Sequence, residues 1–398
     1  MADAAGKPQQ GVRGAWRLAA MGLAMLVAAC AGGPRIIPPA ERPGPVEKPV
    51  ERPKPVIKPG IPEEDLTRHR VALLVPLTGT NAGVGQSIAN ATQLAILDTK
   101  NEQVRITTYD TAQGAAQAAE RAIADGNGLI LGPLLSEDVR AVAPIARRAH
   151  VPVISFSNDV SVAGDGTYIL GYVPTQSIER VVRYARTSGI TQFAGLVPSG
   201  LYGERASTAL LRAVEDAGGT VTGMETYDGR AGSMTSAIAK LNRNPFQAVL
   251  IAGSGGSAAT AVPILRRGNA TARVLGTELW NSDSSVGSNA ALNGAWFASV
   301  PNNYYRQYAG KYRARFGLAP YRLSTMGYDA VLLTVRIARD WKQGEEFPEK
   351  RLVDAGGFAG LDGVFRFGRD GVAERALEVQ EIRGGTTVTV SSAPKVFN

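Results

Sequence analysis

After residue 68 the sequence alternates between short apolar runs rich in β-branched residues and longer stretches whose apolar residues recur at helical spacing. Residues 71–76 (VALLVP) predict a buried strand, and residues 83–100 predict a helix with Ile88, Ala91 and Ala95 on its buried face. Strands that alternate with helices in this way pair in parallel, because each helix returns the chain to the same end of the sheet. The pattern therefore predicts an α/β fold.

The length of this alternation constrains the number of sheets. Two α/β sheets of about 165 residues each fit it better than one sheet of about ten or more strands. The predicted strands are 71–76, 104–109, 129–131, 151–156, 192–197, 220–227, 247–252, 273–276, 363–367, 377–382 and 386–390. The predicted helices are 83–100, 115–124, 137–149, 176–187, 203–217, 233–241, 258–267, 304–316 and 325–341.

Composition limits the chemistry that such a fold can carry. The 398 residues are 44% hydrophobic and 20% charged, which is enough for large buried cores and excludes a wholly disordered chain. One cysteine excludes a disulfide framework and a cysteine-cluster zinc site, and two histidines offer few ligands to other metals. We therefore expect neither a metal nor a cofactor.

The first thirty residues have the features of a secretory leader. Arg13 and Arg17 precede an uncharged run at residues 18–29 (LAAMGLAMLVAA). This run is about a dozen residues, whereas a membrane span needs about 20. The leader is therefore expected to be cleaved rather than to remain as a transmembrane helix.

The lone cysteine lies directly after this run. Residues 27–30 (VAAC) resemble a bacterial lipobox, in which the cysteine becomes the lipidated first residue of the mature protein. Residue 31 is Ala rather than the Asp that implies retention in the inner membrane in such lipoproteins. We expect a signal peptide at 1–29, a lipid anchor on Cys30 and a periplasmic location that favours the outer membrane. The alternative is a spacer cysteine after an ordinary signal.

A proline-rich segment, residues 30–67, separates the leader from the alternating region. Ten of the 29 residues from Pro34 to Pro62 are proline, which rules out a helix or a central strand there. We interpret the segment as an extended tether that reaches on the order of 100 Å; a disordered spacer without a length requirement is the alternative. Residues 1–67 contain nine basic and seven acidic residues, so the remainder has a net charge of only +6.

Ligands of open α/β sheets bind beyond the carboxyl ends of the strands, so the loops after the predicted strands are the candidate site. These loops are rich in Gly, Ser and Asn, whose amides and hydroxyls suit small polar or anionic groups. No array of acids, bases or nucleophiles accompanies them, so we expect a binding protein and not an enzyme.

Two segments carry weaker alternatives. Residues 252–256 (AGSGG) faintly resemble a dinucleotide fingerprint or a nucleophile elbow, for which His69 or His150 would have to supply the base. Residues 304–316 (YYRQYAGKYRARF) mix aromatic and basic residues, as nucleic-acid-binding helices do. We interpret the latter as an amphipathic surface helix and expect no nucleic-acid partner.

Several stretches resemble type I periplasmic binding proteins of the leucine-binding class. They are residues 71–98, 131–159 (LGPLLSEDVRAVAPIARRAHVPVISFSND), 196–219 (LVPSGLYGERASTALLRAVEDAGG) and 327–334 (GYDAVLLT). The resemblance extends over essentially all of residues 68–398. Combined with the lipobox, it indicates similarity to the penicillin-binding protein activator lipoproteins, whose C-terminal half has this fold.

The resemblance implies a two-lobed fold in which each lobe is a mostly parallel sheet flanked by helices. The chain of such proteins crosses between the lobes three times, which by analogy places the crossings near Val173, Val300 and Asp362. Lobe one is then residues 68–173 plus 301–362, and lobe two is residues 174–300 plus 363–398.

The resemblance also implies a ligand site. The positions that bind amino acids in this family match Ser136, Ser157, Tyr202 and Glu278. A hydroxyl and free amides at a helix start would accept a carboxylate, and a tyrosine ring with a carboxylate would suit an ammonium group. Ser136 could equally be a helix N-cap, and Tyr202 and Glu278 could be rim residues of an empty cleft. Asp159 departs from the family pattern, in which the amino-acid binders tend to keep a small hydroxyl residue at this position. A carboxylate there would repel the carboxylate of an amino acid unless it points away.

Two functions follow from the resemblance. The favoured one is a tethered lipoprotein that activates a penicillin-binding protein, the partner being a peptidoglycan synthase. The alternative is a lipoprotein that delivers an amino acid or a similar small polar solute to an ABC permease. The activators carry a helical-repeat domain where this chain has its proline-rich segment, which puts the activator role in question but not the fold.

Overall fold

The computed structural model describes residues 67–397. The predicted signal peptide at 1–29, Cys30 and the proline-rich segment up to residue 66 lie outside the described residues. Within the described range, no helix is both long and apolar enough to cross a bilayer.

The first sheet has five parallel strands in the order β2-β1-β3-β4-β5. The strands are β1 His69–Val75, β2 Val104–Asp110, β3 Leu129–Leu131, β4 Val153–Ser155 and β5 Thr167–Ile169. Three helices connect them, α1 Ala82–Thr99, α2 Ala115–Ala124 and α3 Ser136–Arg148.

Side chains of β1 enter cores on both faces of this sheet. Val71, Leu73 and Val75 pack on the side of α1, whereas Ala72 and Leu74 pack on the side of α2 and α3. All five side chains are fully buried. A parallel sheet covered by helices on both faces explains why β1 reads as a continuous apolar run rather than an alternating one.

The second sheet has seven strands in the order β15-β14-β10-β9-β8-β6-β7. The strands from β6 to β10 are parallel, and β14 and β15 add an antiparallel edge. The strands are β6 Gln192–Pro198, β7 Thr220–Tyr227, β8 Ala248–Ile251, β9 Arg273–Gly276, β10 Trp296–Ser299, β14 Glu378–Arg383 and β15 Thr386–Ser391. Its helices are α4 Pro174–Thr187, α5 Leu201–Asp216, α6 Ser233–Leu241 and α7 Gly255–Gly268.

Between β10 and β14 the chain returns to the first sheet. Helices α8 Tyr305–Phe316 and α9 Thr325–Ala338 pack in the same core as α1. A small antiparallel sheet of β11 Phe358–Gly360, β12 Gly363–Phe367 and β13 Ala373–Arg375 follows. Phe365 and Phe367 also lie in this first core, so the chain rejoins the second sheet at β14. We refer to each large sheet with the helices packed on it as a lobe.

This architecture confirms the predicted fold class, with two mostly parallel sheets flanked by helices. The predicted elements are present with ends within three residues of the observed ones. The strands β5, β10, β11 and β13, each three or four residues long, were not predicted. The exact lobe boundaries at Val173, Val300 and Asp362 remain a prediction.

In each lobe, the helix that follows the first strand of the large sheet approaches the proline at the end of that strand very closely. A Cβ on Gly85 would lie 1.8 Å from the carbonyl oxygen of Pro76, and a Cβ on Gly203 would lie 1.7 Å from that of Pro198. Both distances are far below contact distance and the obstacle is backbone, so the two segments have to move apart to admit a methyl group.

We therefore expect Gly85→Ala and Gly203→Ala each to lower the free energy of unfolding by about 1–3 kcal/mol, measured by urea denaturation. Gly310 is the matched control, because it lies in α8 with open space around its Cβ position. Gly310→Ala should raise stability by about 0.5–1 kcal/mol. Equal effects of the three substitutions would contradict the close approach.

Candidate functional site

The predicted site residues all lie at the carboxyl ends of parallel strands. In the first lobe, Ser136 begins α3, and Ser157 and Asp159 follow β4. In the second lobe, Tyr202 lies in the first turn of α5, and Glu278 begins a short 3-10 helix after β9. The parallel topology thus brings loops that are distant in sequence to the crevice between the lobes.

Tyr202 and Glu278 are brought together by the fold. The Tyr202 hydroxyl lies 3.0 Å from Glu278 Oε1 and 3.0 Å from Thr277 Oγ1. The other carboxylate oxygen, Oε2, accepts a hydrogen bond of 2.6 Å from Ser177 Oγ on α4. Glu278 is 7% exposed, and its burial raises the pKa of the carboxyl group. Both of its oxygens are therefore engaged by groups of the second lobe itself.

The two predicted serines of the first lobe contact groups only two to four residues away in sequence. Ser157 is buried and its Oγ accepts the backbone N–H of Asp159 at 3.1 Å, which fixes the turn after β4. Ser136 Oγ lies 3.3 Å from Arg140 Nη1. Ser136 is the first helical residue of α3, where Leu135 occupies the N-cap position and no side chain caps the helix, so the N-cap alternative is not observed.

Asp159 is the charged centre of the crevice. Its Oδ2 accepts Arg140 Nη2 at 2.6 Å, and its Oδ1 accepts Arg205 Nη2 at 2.5 Å. Arg140 belongs to α3 of the first lobe, whereas Arg205 belongs to α5 of the second lobe. The Asp159 side chain is 3% exposed. An ion pair that spans the two lobes therefore closes the crevice at this point.

Asp159 is ionised at neutral pH. Burial alone would raise its pKa, but hydrogen bonds from the hydroxyl and backbone N–H of Ser161 and the charge of Arg205 together lower the pKa to about 2. The two Ser161 bonds are 2.5 and 2.9 Å long. Arg140 and Arg205 thus both bond the same ionised carboxylate, and the three charged groups together carry a net charge of +1.

Sequence reasoning singled out Asp159 but missed Ser177, Arg140 and Arg205. These three residues lie within helices, where serine and arginine side chains ordinarily face solvent or form hydrogen bonds within the same helix. The YGER sequence places Arg205 one turn after Tyr202, on the face that meets the crevice, and this spacing was a usable signal.

The residues considered for catalysis have structural roles. Ser254 caps α7, since its Oγ accepts the backbone N–H of Ser257 at 3.2 Å. His69 is stacked on Trp341 with ring centroids 4.2 Å apart, and His150 has left-handed backbone geometry just after α3. No group of three or more potential metal ligands occurs in the part of the chain that the structure describes. The arrangement can bind and bridge, but it offers no nucleophile paired with a base.

The chain is similar in sequence to curated proteins. The chain is 23% identical over 333 residues to the penicillin-binding protein activator LpoA of Mannheimia succiniciproducens, covering 81% of this chain and 55% of that protein. It spans about half the length of the curated relatives that it matches.

Solved structures show the same fold. A putative branched-chain amino acid ABC transporter protein from Rhodospirillum rubrum has a TM-score of 0.73 at 20% identity, covering 81% of this chain and 100% of that one. Full-length LpoA from Haemophilus influenzae has a TM-score of 0.63 at 20% identity, covering 83% of this chain and 62% of that one.

A family model described as periplasmic binding protein matches residues 69–386, which is nearly all of the described chain. That span includes the five-stranded sheet, all strands of the seven-stranded sheet except β15, and every predicted ligand-binding residue. The chain is therefore a member of the periplasmic binding protein family.

Proposed function

We propose that this chain is a periplasmic lipoprotein that activates a penicillin-binding protein, and that its two lobes form a protein-binding body rather than a solute trap. The observation that carries the proposal is the Arg140–Asp159–Arg205 cluster. It closes the crevice with charges of the chain itself, where a solute-binding protein needs room for its ligand.

The chemistry of the crevice argues against an amino acid ligand at the predicted positions. A ligand carboxylate near Ser136 would have to compete for Arg140 with the ionised Asp159, which already bonds that arginine at 2.6 Å and whose pKa is lowered to about 2. A ligand ammonium near Glu278 would find both carboxylate oxygens occupied by Ser177 and Tyr202. Displacing these bonds costs energy that the ligand has to recover.

The activator role also draws support from the relatives. LpoA of Mannheimia succiniciproducens is named as a penicillin-binding protein activator, and the LpoA structure from Haemophilus influenzae shares the fold. We extend the proposal to lipidation at Cys30 and anchoring in the outer membrane. A tether reaching on the order of 100 Å would then let the lobes contact a synthase held in the inner membrane.

One observation favours a second candidate, a solute-binding lipoprotein for an ABC permease. The fold does bring Tyr202 and Glu278 within hydrogen-bonding distance at 3.0 Å, as the family's amino-acid binders would require. On this alternative the Asp159 ion pairs would open when the solute enters. The partner would then be a permease, and the ligand a small amino-acid-like molecule.

The proposal is tested by mixing the full chain, purified in detergent, with class A penicillin-binding proteins from the same organism. We expect co-purification and a several-fold faster polymerisation of lipid-linked glycan precursor. A heat-denatured sample of the chain serves as the control. Failure to bind or stimulate any of these synthases, together with saturable binding of an amino acid, would establish the second candidate instead.

A further inference from the structure

A small cavity lies between the lobes behind Glu278. Tyr172, Arg322 and Arg375 contribute to its wall from the side of the first core, and Ser177, Glu278 and Ser299 contribute from the second lobe. The volume of the cavity is about 10 Å³, which is the space that one water-sized molecule or ion needs. Ser282 is the exposed residue of its wall and marks the route to solvent.

Two arginines of this wall carry hydrogen-bond donors without partners. Arg322 and Arg375 are each 6% exposed, yet Nε and Nη2 of Arg322 and Nε and Nη1 of Arg375 have no acceptor. Leaving such donors buried and unpaired is unfavourable, and more so when the group is charged. Four unpaired donors beside one cavity are therefore an unusual feature that a bound acceptor would explain.

The remaining contacts of the two guanidinium groups do not satisfy these donors. Arg322 Nη1 bonds Asp362 Oδ1 at 2.8 Å and Thr325 Oγ1 at 2.9 Å, and Arg375 Nη2 bonds the carbonyl oxygen of Leu170 at 2.7 Å. Arg375 also lies over the ring of Tyr172, 5.0 Å from its centroid. A ring below a guanidinium engages its face, whereas the N–H groups point outward in its plane.

The charge balance calls for a further anion. The charge of Arg322 is matched by Asp362, which is fully buried. Within residues 67–397, no carboxylate forms an ion pair with Arg375. Three other carboxyl groups lie nearby, on Asp329, Glu278 and Glu378, and burial raises the pKa of each, which favours the neutral forms.

We propose that this cavity binds one chloride-sized anion held by the free N–H groups of Arg322 and Arg375. A water molecule would accept from the arginines and also have to donate its own two hydrogens, whereas a halide only accepts, which matches the four unpaired donor nitrogens. Because the wall comes from both lobes, a bound anion would link them at a point separate from the Asp159 ion pairs.

Thermal unfolding of the full chain in detergent tests the proposal. Chloride is varied from about 1 to about 300 mM at constant ionic strength, with gluconate as the replacing anion because it is too large for the cavity. We expect a saturable rise in Tm of about 3 °C or more with chloride and with bromide. A Tm independent of the halide concentration would overturn the proposal.

Variants identify the site. Arg375→Met should abolish the halide-dependent part of the Tm shift. Arg180→Met is the matched control, because Arg180 is a part-buried arginine on α4 that does not line the cavity. It bonds Leu377 O at 3.0 Å and Ser391 Oγ at 2.5 Å. It should keep the full halide dependence. Equal halide dependence in Arg375→Met and the parent chain would contradict the assignment.

A second measurement remains decisive should Arg375→Met fail to fold. Anomalous diffraction from crystals grown in bromide should show one peak between the guanidinium groups of Arg322 and Arg375. Density for water without an anomalous signal would overturn the proposal. Neither measurement involves a penicillin-binding protein, so the anion site and the proposed function can fail separately.

Discussion

Replacing Asp362 by asparagine is expected to lower the free energy of unfolding by about 3–5 kcal/mol, the largest effect of any single substitution considered for this chain. Asp362 has no exposed surface, and its carboxylate accepts hydrogen bonds from Arg322 at 2.8 Å, from Thr325 at 2.8 Å and from Tyr172. Without its charge, the buried guanidinium of Arg322 loses the carboxylate with which it forms an ion pair.

Urea denaturation at neutral pH measures this effect, with Asp340→Asn as the control. Asp340 pairs with Arg351 at 2.6 Å, but both side chains are about half exposed. Pairs of this kind contribute roughly 0–1 kcal/mol. Equal losses of the free energy of unfolding in the two variants would show that the hydrogen bonds and the ion pair of Asp362 do not stabilise the fold.

Replacing Arg205 by methionine is expected to open the crevice. The Asp159 carboxylate would keep Arg140 of its own lobe and lose the one cation from the opposite lobe. We expect an increase in the radius of gyration by small-angle X-ray scattering and a loss of about 1–3 kcal/mol of stability. Arg212→Met, an exposed position on the same helix, should change neither quantity.

The Asp159 ion pairs also predict an acid dependence. The pKa of Asp159 in the folded protein is about 2, below the value of about 3.9 for an unfolded chain. The stabilisation is therefore fully present above about pH 4 and is lost as the pH falls towards 2. In Asp159→Asn this component should be absent, so its stability should fall less steeply over that range. An identical loss of stability with falling pH in both proteins, measured by urea denaturation, would contradict the role assigned to Asp159.

The sequence predicted the sheets well because their signal is local. A fully buried parallel strand such as β1 is a continuous apolar run, and the helix after it repeats apolar residues at a fixed spacing. The short strands β5 and β10 escaped prediction because three or four residues carry no period. They are strands because a neighbouring edge, β4 or β9, is available to pair with them.

The location of the candidate site could be predicted from the sequence, but the ion-pair partners of Asp159 could not. Strand ends in a parallel sheet define the loops that face the crevice, which is how Tyr202 and Glu278 could be found. The partner of Asp159 lies 46 residues away on a helix of the other lobe. The spacing of Tyr202 and Arg205 places the arginine on the crevice face, but nothing in the sequence shows that it pairs with Asp159, so the closure of the crevice needed the three-dimensional structure.

The most direct test of the account is a calorimetric titration of the full chain with a panel of amino acids. If the crevice is filled by its own ion pairs, no amino acid should give a saturable one-to-one heat. A saturable one-to-one heat that disappears in Tyr202→Phe and Glu278→Gln would contradict the account and identify the crevice as a solute site.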